Sequence, residues 1–349
     1  RLIMSDADQD ILQDGPMDAV ITWVDGDDLA HKAKRARYLG VASAPLHENG
    51  INPHRWANSD EIMFCLRSIE ANAPWVRRVW IVVDGQGPDL SSLSAAITAK
   101  ITLVDHRHIF RGFETSLPTF NSLAIESMLW RIEGLSDRFL YFNDDVFLTA
   151  PIVPSDMFWD GSPVLRGKWV DLSPMVASTK SRADPALFNH FMQMNAALEA
   201  GFDLTRVFVA AHVVHPFSRP VMKQLFASHS VAFCANISHR FRDINQFSPQ
   251  ALHNHACLAM GRAVTEKTRD YIHLRGAGAV DSEVAHGALL AAVAGDVRFL
   301  CVNDLPHLTS LVPDARELIA RAVAPLDYSV IRRSEVSATV GVSIISARR

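Results

Sequence analysis

The sequence predicts an α/β protein: a mostly parallel sheet with helices on both faces, and a more helical C-terminal half. Three observations carry that expectation. Four segments within the first 150 residues are dense in β-branched and aromatic residues, each runs directly into Asp, and stretches with helical periodicity lie between them. Strand and helix alternating in this rhythm bury a parallel sheet between two layers of helices, and such sheets present ligand sites at the carboxyl ends of their strands.

Taken in order, residues 1–16 form an acidic lead-in (Asp6, Asp8, Asp10, Asp14), read as a solvated segment. MDAVITWV, Met17 to Val24, is a strand stopped by Asp25-Gly26-Asp27-Asp28. Asn58 to Ala73 is a helix with Ile62, Leu66 and Ile69 on one face, and Asn58 and Glu61 have capping-box spacing. RVWIVVD, Arg78 to Asp84, is the second strand, ended by a glycine-rich turn; ITLVDH, Ile101 to His106, is the third. Asn121 to Ile132 is a helix that groups Ala124, Met128 and Leu129. RFLYFNDDVFL, Arg138 to Leu148, is the fourth strand and sets Asp144-Asp145 between apolar runs. Further on, Arg182 to Ala200, Pro220 to His229 and Pro249 to Gly261 read as helices. VRFLCVND, Val297 to Asp304, repeats the strand that ends in Asn-Asp. RGAGAVD, Arg275 to Asp281, reads as a flexible turn or lid edge, and residues 311–349 read as a tail, an edge strand or disorder.

Composition narrows the class. With 48% hydrophobic and 21% charged residues the chain is neither disordered nor membrane-like, and no apolar run of about 18 residues spans a bilayer. A peripheral membrane association stays open. The net charge of -4 argues against a nucleic-acid partner. Cys65, Cys234, Cys257 and Cys301 lack C-x-x-C spacing and sit in apolar surroundings, the pattern of buried, reduced thiols. No signal-peptide core, Walker motif, dinucleotide fingerprint or nucleophile elbow is present.

The Asp144-Asp145 pair calls for a compensating cation, and for adjacent carboxylates the ordinary partner is a divalent metal with hard oxygen ligands. His212 and His215, in AAHVVHPF, have H-x-x-H spacing without a compact third zinc ligand. Pro216 favours a turn there, and structural, catalytic and phosphate-binding roles stay open. His253 and His255 are read as core or surface residues. In Arg240-Phe241-Arg242-Asp243, two guanidiniums project alike if the chain is extended, as suits a pyrophosphate, and a surface ion pair is the plainer alternative.

DAVITWVDGDD (18–28), DEIMFCLRSIEANAPWVRRVWIVVDGQGP (60–88), ITLVDHRHIF (101–110) and LPTFNSLAIESMLWRIEGLSDRFLYFNDDVFL (117–148) resemble the first two conserved regions of the Stealth proteins. HVVHPFSRPVMKQL with HRFRDINQF, then FLCVND, resemble the third and fourth, although Val stands where Pro is frequent between the histidines. The resemblance implies a GT-A-like nucleotide-sugar-binding core over residues 17–310, with 17–150 as the donor part and 151–310 as the acceptor and phosphate part. It further implies transfer of a hexose or N-acetylhexosamine 1-phosphate from a UDP-sugar to a glycan hydroxyl with release of UMP. The setting implied is capsule or exopolysaccharide synthesis in the cytoplasm, at the inner face of the membrane, with a homo-oligomer left open. For the site, Asp145 and Asp144 hold Mg²⁺ or Mn²⁺, with Asp304 or Asn303 as further contacts. Arg242, seconded by Arg240, holds the phosphoryl group, and His215, then His212, is the general base. Glu126 and Asp25 belong to the site, and Asn121 and Arg67 are donor contacts. The rival readings are a GT-A glycosyltransferase releasing UDP and a catalytically silent sugar-nucleotide or polysaccharide-binding protein.

Overall fold

The four apolar segments assemble into one sheet. The computed structural model describes residues 15–41, 46–48, 59–176, 179–276 and 281–324. Asn58, residues 277–280 of the glycine-rich loop, residues 1–14 of the lead-in and everything beyond 324 lie outside the described residues.

Strands β1 (Met17–Thr22), β2 (Val79–Val83), β3 (Ile101–Asp105) and β4 (Arg138–Asn143) run parallel in the order β4-β1-β2-β3. Alternate residues feed two cores. Ala19, Ile21, Ile81, Leu140 and Phe142 enter one core, whereas Val20, Val82, Phe139 and Tyr141 enter the other. That division is the period-2 geometry of a sheet covered on both faces, and it explains why these strands read as continuous apolar runs.

The first core is closed by helix α2 (Glu61–Asn72), which follows α1 (Leu29–Leu39), and by α8 (Ser282–Ala294) and α10 (Ala315–Ala322). The second is closed by α3 (Ser122–Glu126), α5 (Arg219–Ser228), α6 (Ser230–Ser238) and α7 (Pro249–Ala259). Between them α4 (Phe188–Glu199) packs with the hairpin of β8 (Gly167–Val170) and β9 (Val207–Ala210) in a third cluster. Helices therefore cover both faces, as expected.

Several sequence expectations shift. The stretch Arg138 to Leu148 is two strands rather than one: β4 ends at Asn143, Asp144-Asp145 make the turn, and β5 (Val146–Leu148) joins a different sheet. That sheet has the order β12-β13-β5, with β12 (Tyr271–Leu274) and β13 (Phe299–Val302), and β6 (Phe158–Trp159), β7 (Ser162–Leu165) and β11 (Val264–Thr265) form another. His215-Pro216 does not turn. Residues His215–Ser218 are strand β10, antiparallel to β4 at the edge of the main sheet, where the missing proline N–H disrupts no ladder. Glu61 opens α2 but reaches back to the Ser59 N–H at 2.9 Å, and the N-cap Asp60 is left-handed with φ 59° and makes no side-chain cap. Nor does the tail begin at residue 311. α9 (Leu305–Leu311) is followed by α10, whose Leu318 and Ile319 are buried in the first core. Cys65, Cys257 and Cys301 are buried free thiols, but Cys234 is exposed, because α6 turns that position outward.

Candidate active site at the carboxyl edge of the sheet

The order β4-β1-β2-β3 places the topological switch point between β1 and β4, the position at which open α/β sheets bind ligands outside the strand ends. Register brings the acids to that edge: Thr22 pairs with Asn143, and Val83 with Asp105. Asp84 and Asp105 are consumed locally. Asp84 bonds Lys34 at 2.8 Å, while Asp105 caps the turn at Arg107 and accepts the N–H of Gly85, whose φ of 89° suits glycine.

Asp145 is positioned from two sheets at once. Its carbonyl accepts the Val302 N–H at 3.0 Å, which ties the Asp144-Asp145 turn to β13. Asn303, just past β13, then donates Nδ2 to Asp145 Oδ2 at 2.8 Å and accepts His273 Nε2 on Oδ1 at 2.5 Å. A carboxylate only accepts, so the amide orientation is fixed and His273 must carry its proton on Nε2. Burial, chiefly, and the neighbouring His212 push the His273 ring down to about 4, so it donates as a neutral imidazole. The other oxygen, Asp145 Oδ1, is buried with no hydrogen-bond partner. It lies 3.9 Å from His212 Nε2, and Cys301 Sγ completes a cluster whose ligand atoms all fall within 4.8 Å of one another.

A fully buried acid elsewhere in the sheet shows what that orphaned oxygen means. Asp18, at the opposite end of β1, is fully buried and receives Arg77 through two bonds of 2.7 and 2.8 Å, Trp80 Nε1 and the Ser136 N–H. Burial alone would raise its pKa, but these donors hold it below the usual value. Asp145 has one amide and an empty lone pair facing an imidazole. Its neighbour Asp144 is driven well above the normal carboxyl range by burial, then by the charges of Asp145 and Glu61. This cluster of acids fits a divalent cation, with Asp145 Oδ1 and His212 Nε2 as neighbouring candidate donors.

The other expected ligands make different contacts in the structure. Among the described residues Asp144 contributes no carboxylate oxygen to the cluster. Asp304 caps α9 through a 3.0 Å bond from the His307 N–H. Asn303 orients Asp145 instead of offering its own oxygen, which is occupied by His273.

The two histidines separate. His212, in the approach to β10, is 34% exposed at its side chain, stacks on His273 with centroids 5.1 Å apart, and comes within 3.5 Å of Asn143 Nδ2. His215 is in register with Tyr141 and stacks on it at 6.5 Å. Burial, aided by His212 and His253, pushes His215 down to about 3, so the ring is neutral and a weak proton acceptor near neutrality. His253 and His255 are core residues, whose Nε2 atoms accept the N–H groups of Ser218 and Phe208.

Glu126 lies on the other side of Tyr141. It is buried on α3, and burial raises its carboxyl to about 7 against the opposing charge of Arg242 and hydrogen bonds to Ser122 and Tyr141. Arg242 donates to Ser122 Oγ at 2.6 Å, and burial lowers its pKa while Glu126, Tyr141 and Asp145 oppose that shift. The Tyr141 hydroxyl also meets Thr22 Oγ1 at 3.0 Å and Asn143 Oδ1 at 2.8 Å, so it links β1, β4 and both halves of the site.

Four expected residues take structural positions. Asn121 caps α3 through Oδ1 and donates both amide hydrogens, to His239 O and Gln246 Oε1, which pins the Arg240–Arg242 loop beside Glu126. Arg240 clamps the carbonyls of Pro118 and Thr115 and covers the Tyr38 ring. Arg67 bonds Ser92 on the exposed side of α2, two residues and so about 200° away from the buried Cys65. Asp25 sits at the carboxyl end of β1 but uses Oδ1 on the Asp27 N–H.

Comparison with known proteins places these residues in a family. The model of Stealth protein conserved region 1 matches residues 15–40, and that of conserved region 2 matches 55–164, the segment that carries Glu126, Asp144 and Asp145. An exopolysaccharide phosphotransferase of Streptomyces coelicolor is 34% identical over 291 residues, which cover 83% of this chain and 47% of that protein. The chain belongs to the Stealth family. A capsular polysaccharide phosphotransferase of Streptococcus pneumoniae is 40% identical over 150 residues, 42% of this chain and 43% of its own. This Stealth chain spans about half the length of the first Streptomyces relatives it matches. Among solved structures, galactosyltransferase LgtC in complex with donor and acceptor sugar analogs aligns over 90% of this chain and 100% of that one, at 12% identity and TM-score 0.42.

Sequence reasoning missed His273, Tyr141, Glu61 and the site position of Cys301 in this Stealth chain. His273 lies in the short strand YIHL without any motif, and only its parallel pairing with Cys301 on β13 brings it to Asn303. Cys301 did carry a signal: it stands two residues before Asn303, hence on the same strand face.

Proposed function

We propose that this Stealth chain is the catalytic core of a sugar-phosphate transferase. It moves a hexose or N-acetylhexosamine 1-phosphate from a UDP-sugar to a glycan hydroxyl, releases UMP and leaves a phosphodiester in a capsular or exopolysaccharide product. The observation that carries the reading is the unpartnered, buried Asp145 Oδ1 facing His212 at the carboxyl edge of the sheet, with Arg242 and Glu126 beyond Tyr141. The relatives named exopolysaccharide and capsular polysaccharide phosphotransferases support a sugar-phosphate transfer reading.

In this reading the acceptor oxygen attacks the β-phosphorus, a new O–P bond forms, and the bridging P–O bond to UMP breaks. Glu126, with a pKa of about 7, takes the acceptor proton. Arg242 faces the equatorial oxygens of the transferring group, and its desolvation strengthens that interaction. His215 stays neutral and packs the Tyr141 ring in place. Asp145 and His212 would hold Mg²⁺ or Mn²⁺, which supplies charge neutralisation on the pyrophosphate. The reaction belongs in the cytoplasm, at the inner face of the membrane, where UDP-sugars are available. Among the described residues no helix is long and apolar enough to cross a membrane.

The test incubates the protein with a panel of UDP-sugars, Mg²⁺ or Mn²⁺ and candidate glycans, and identifies the released nucleotide by mass. UMP supports phosphoryl transfer; UDP assigns the site to glycosyl transfer and overturns the proposal.

A further inference from the structure

The donor set at Asp145 is unusual for a site expected to hold a hard ion. Asp145 Oδ1, His212 Nε2 and Cys301 Sγ offer one oxygen, one nitrogen and one sulfur, all within 4.8 Å of one another. Cys301 is placed there by the sheet: it pairs with Val146 across from β5, one residue past Asp145, and it shares a strand face with Asn303. Asn303 confirms the direction of the thiol, because its Nδ2 donates to Cys301 Sγ at 3.4 Å as well as to Asp145 Oδ2. The unpartnered Asp145 Oδ1 is a second, independent sign that the space between the three takes a cation.

We infer that this centre is a mixed-donor site that also takes a thiophilic divalent ion such as Zn²⁺ or Co²⁺, with Cys301 as the third protein ligand. A tetrahedral zinc with bonds of ~2.0–2.3 Å needs donors roughly 3.3–3.6 Å apart, so the cluster closes by about 1 Å on binding. Soft and borderline ions favour thiolate, whereas Mg²⁺ has little affinity for it, so Mg²⁺ uses the oxygen and nitrogen donors and leaves Cys301 as a thiol. On zinc binding the Cys301 S–H bond breaks, an S–Zn bond forms, and one proton leaves to solvent. The same ion then occupies Asp145 and His212, so it competes with Mg²⁺ or Mn²⁺. The inference rests on the proposed cation-binding role of Asp145 and His212.

Cobalt is the probe, because a thiolate ligand gives a charge-transfer absorption that oxygen and nitrogen ligands lack. The exposed Cys234 is first removed as Cys234→Ser. Co²⁺ added to that protein is expected to produce the sulfur-to-cobalt band, and Zn²⁺ is expected to displace it. Cys301→Ser should abolish the band and weaken Zn²⁺ by at least about tenfold, with Mn²⁺ affinity changed far less. Cys301→Ala, checked for an unchanged circular dichroism spectrum, repeats the measurement in case serine perturbs β13. Absence of the band in the Cys234→Ser protein, or its persistence after Cys301→Ser, overturns the inference. A cobalt band that depends on Cys301 in a protein that releases no UMP sustains this centre while the proposed transfer fails.

Discussion

Replacing Glu126 by glutamine isolates the energetic cost of holding a carboxyl in the Tyr141–Arg242 pocket. The folded carboxyl ionises at about 7 and the unfolded one near 4.5, a difference of about 3 to 4 kcal/mol at ~1.4 kcal/mol per tenfold. Because the folded pKa is the higher one, the folded state binds the extra proton between those values. Its stabilising contribution is therefore complete below pH 4.5 and is lost as pH rises through 7. Glutamine does not titrate, so Glu126→Gln should gain stability relative to the parent as pH rises from 4.5 to 8, by about 3 kcal/mol across that window. All other titrating groups are common to both proteins and cancel in the difference. Urea unfolding of both proteins at pH 4.5, 6 and 8 measures it. The same variant should lower turnover by about 10²–10⁴ and erase the limb of the pH–rate profile near pH 7. A stability difference that stays flat within about 1 kcal/mol from pH 4.5 to 8 would refute the claim that burial holds this carboxyl protonated near neutrality.

Asp145→Asn should abolish turnover and Mn²⁺ binding by calorimetry while the circular dichroism spectrum is kept; full Mn²⁺ affinity in this variant would remove Asp145 from the centre. Asn303→Ala should weaken Mn²⁺ by about 10–100-fold by freeing the Asp145 carboxylate to rotate. His273→Gln, whose amide can still donate to Asn303, should retain more affinity than His273→Phe, and equal losses in the two would deny the orienting role. Away from the site, Arg166 grips Asp270 through Nε and Nη2 at 2.8 to 3.0 Å, with the two residues only 4% and 9% exposed. Asp270→Asn should cost about 3–5 kcal/mol in urea unfolding, because a buried guanidinium loses its counter-charge, and a loss under about 1 kcal/mol would contradict that.

Much of the N-terminal half was legible in local sequence, since β1, β2 and β4 are apolar runs followed closely by Asp and a doubly covered parallel sheet imposes that pattern on each strand by itself. Asp145 was legible for the same reason: adjacent carboxylates between apolar runs announce an electrostatic problem wherever they fold. The burial of His215 was not legible, because its spacing from His212 says nothing about burial; burial first, then the neighbouring His212 and His253, lower its pKa. Pro216 misled, since proline forbids a central strand but not an edge, and only the assembled sheet shows which strand is the edge.

Strand identity, the acidic strand ends and family membership followed from the sequence alone, because each depends on residues close together in the chain. Only the tertiary structure decided which oxygen of Asp145 is left unpartnered. That choice depends on Asn303 and His273, which lie 158 and 128 positions away in sequence and meet Asp145 through the pairing of β5, β13 and β12. Tertiary structure also decided that Glu126 titrates near neutrality, because a carboxyl's proton affinity is set by the water and charge around it rather than by its neighbours in the chain.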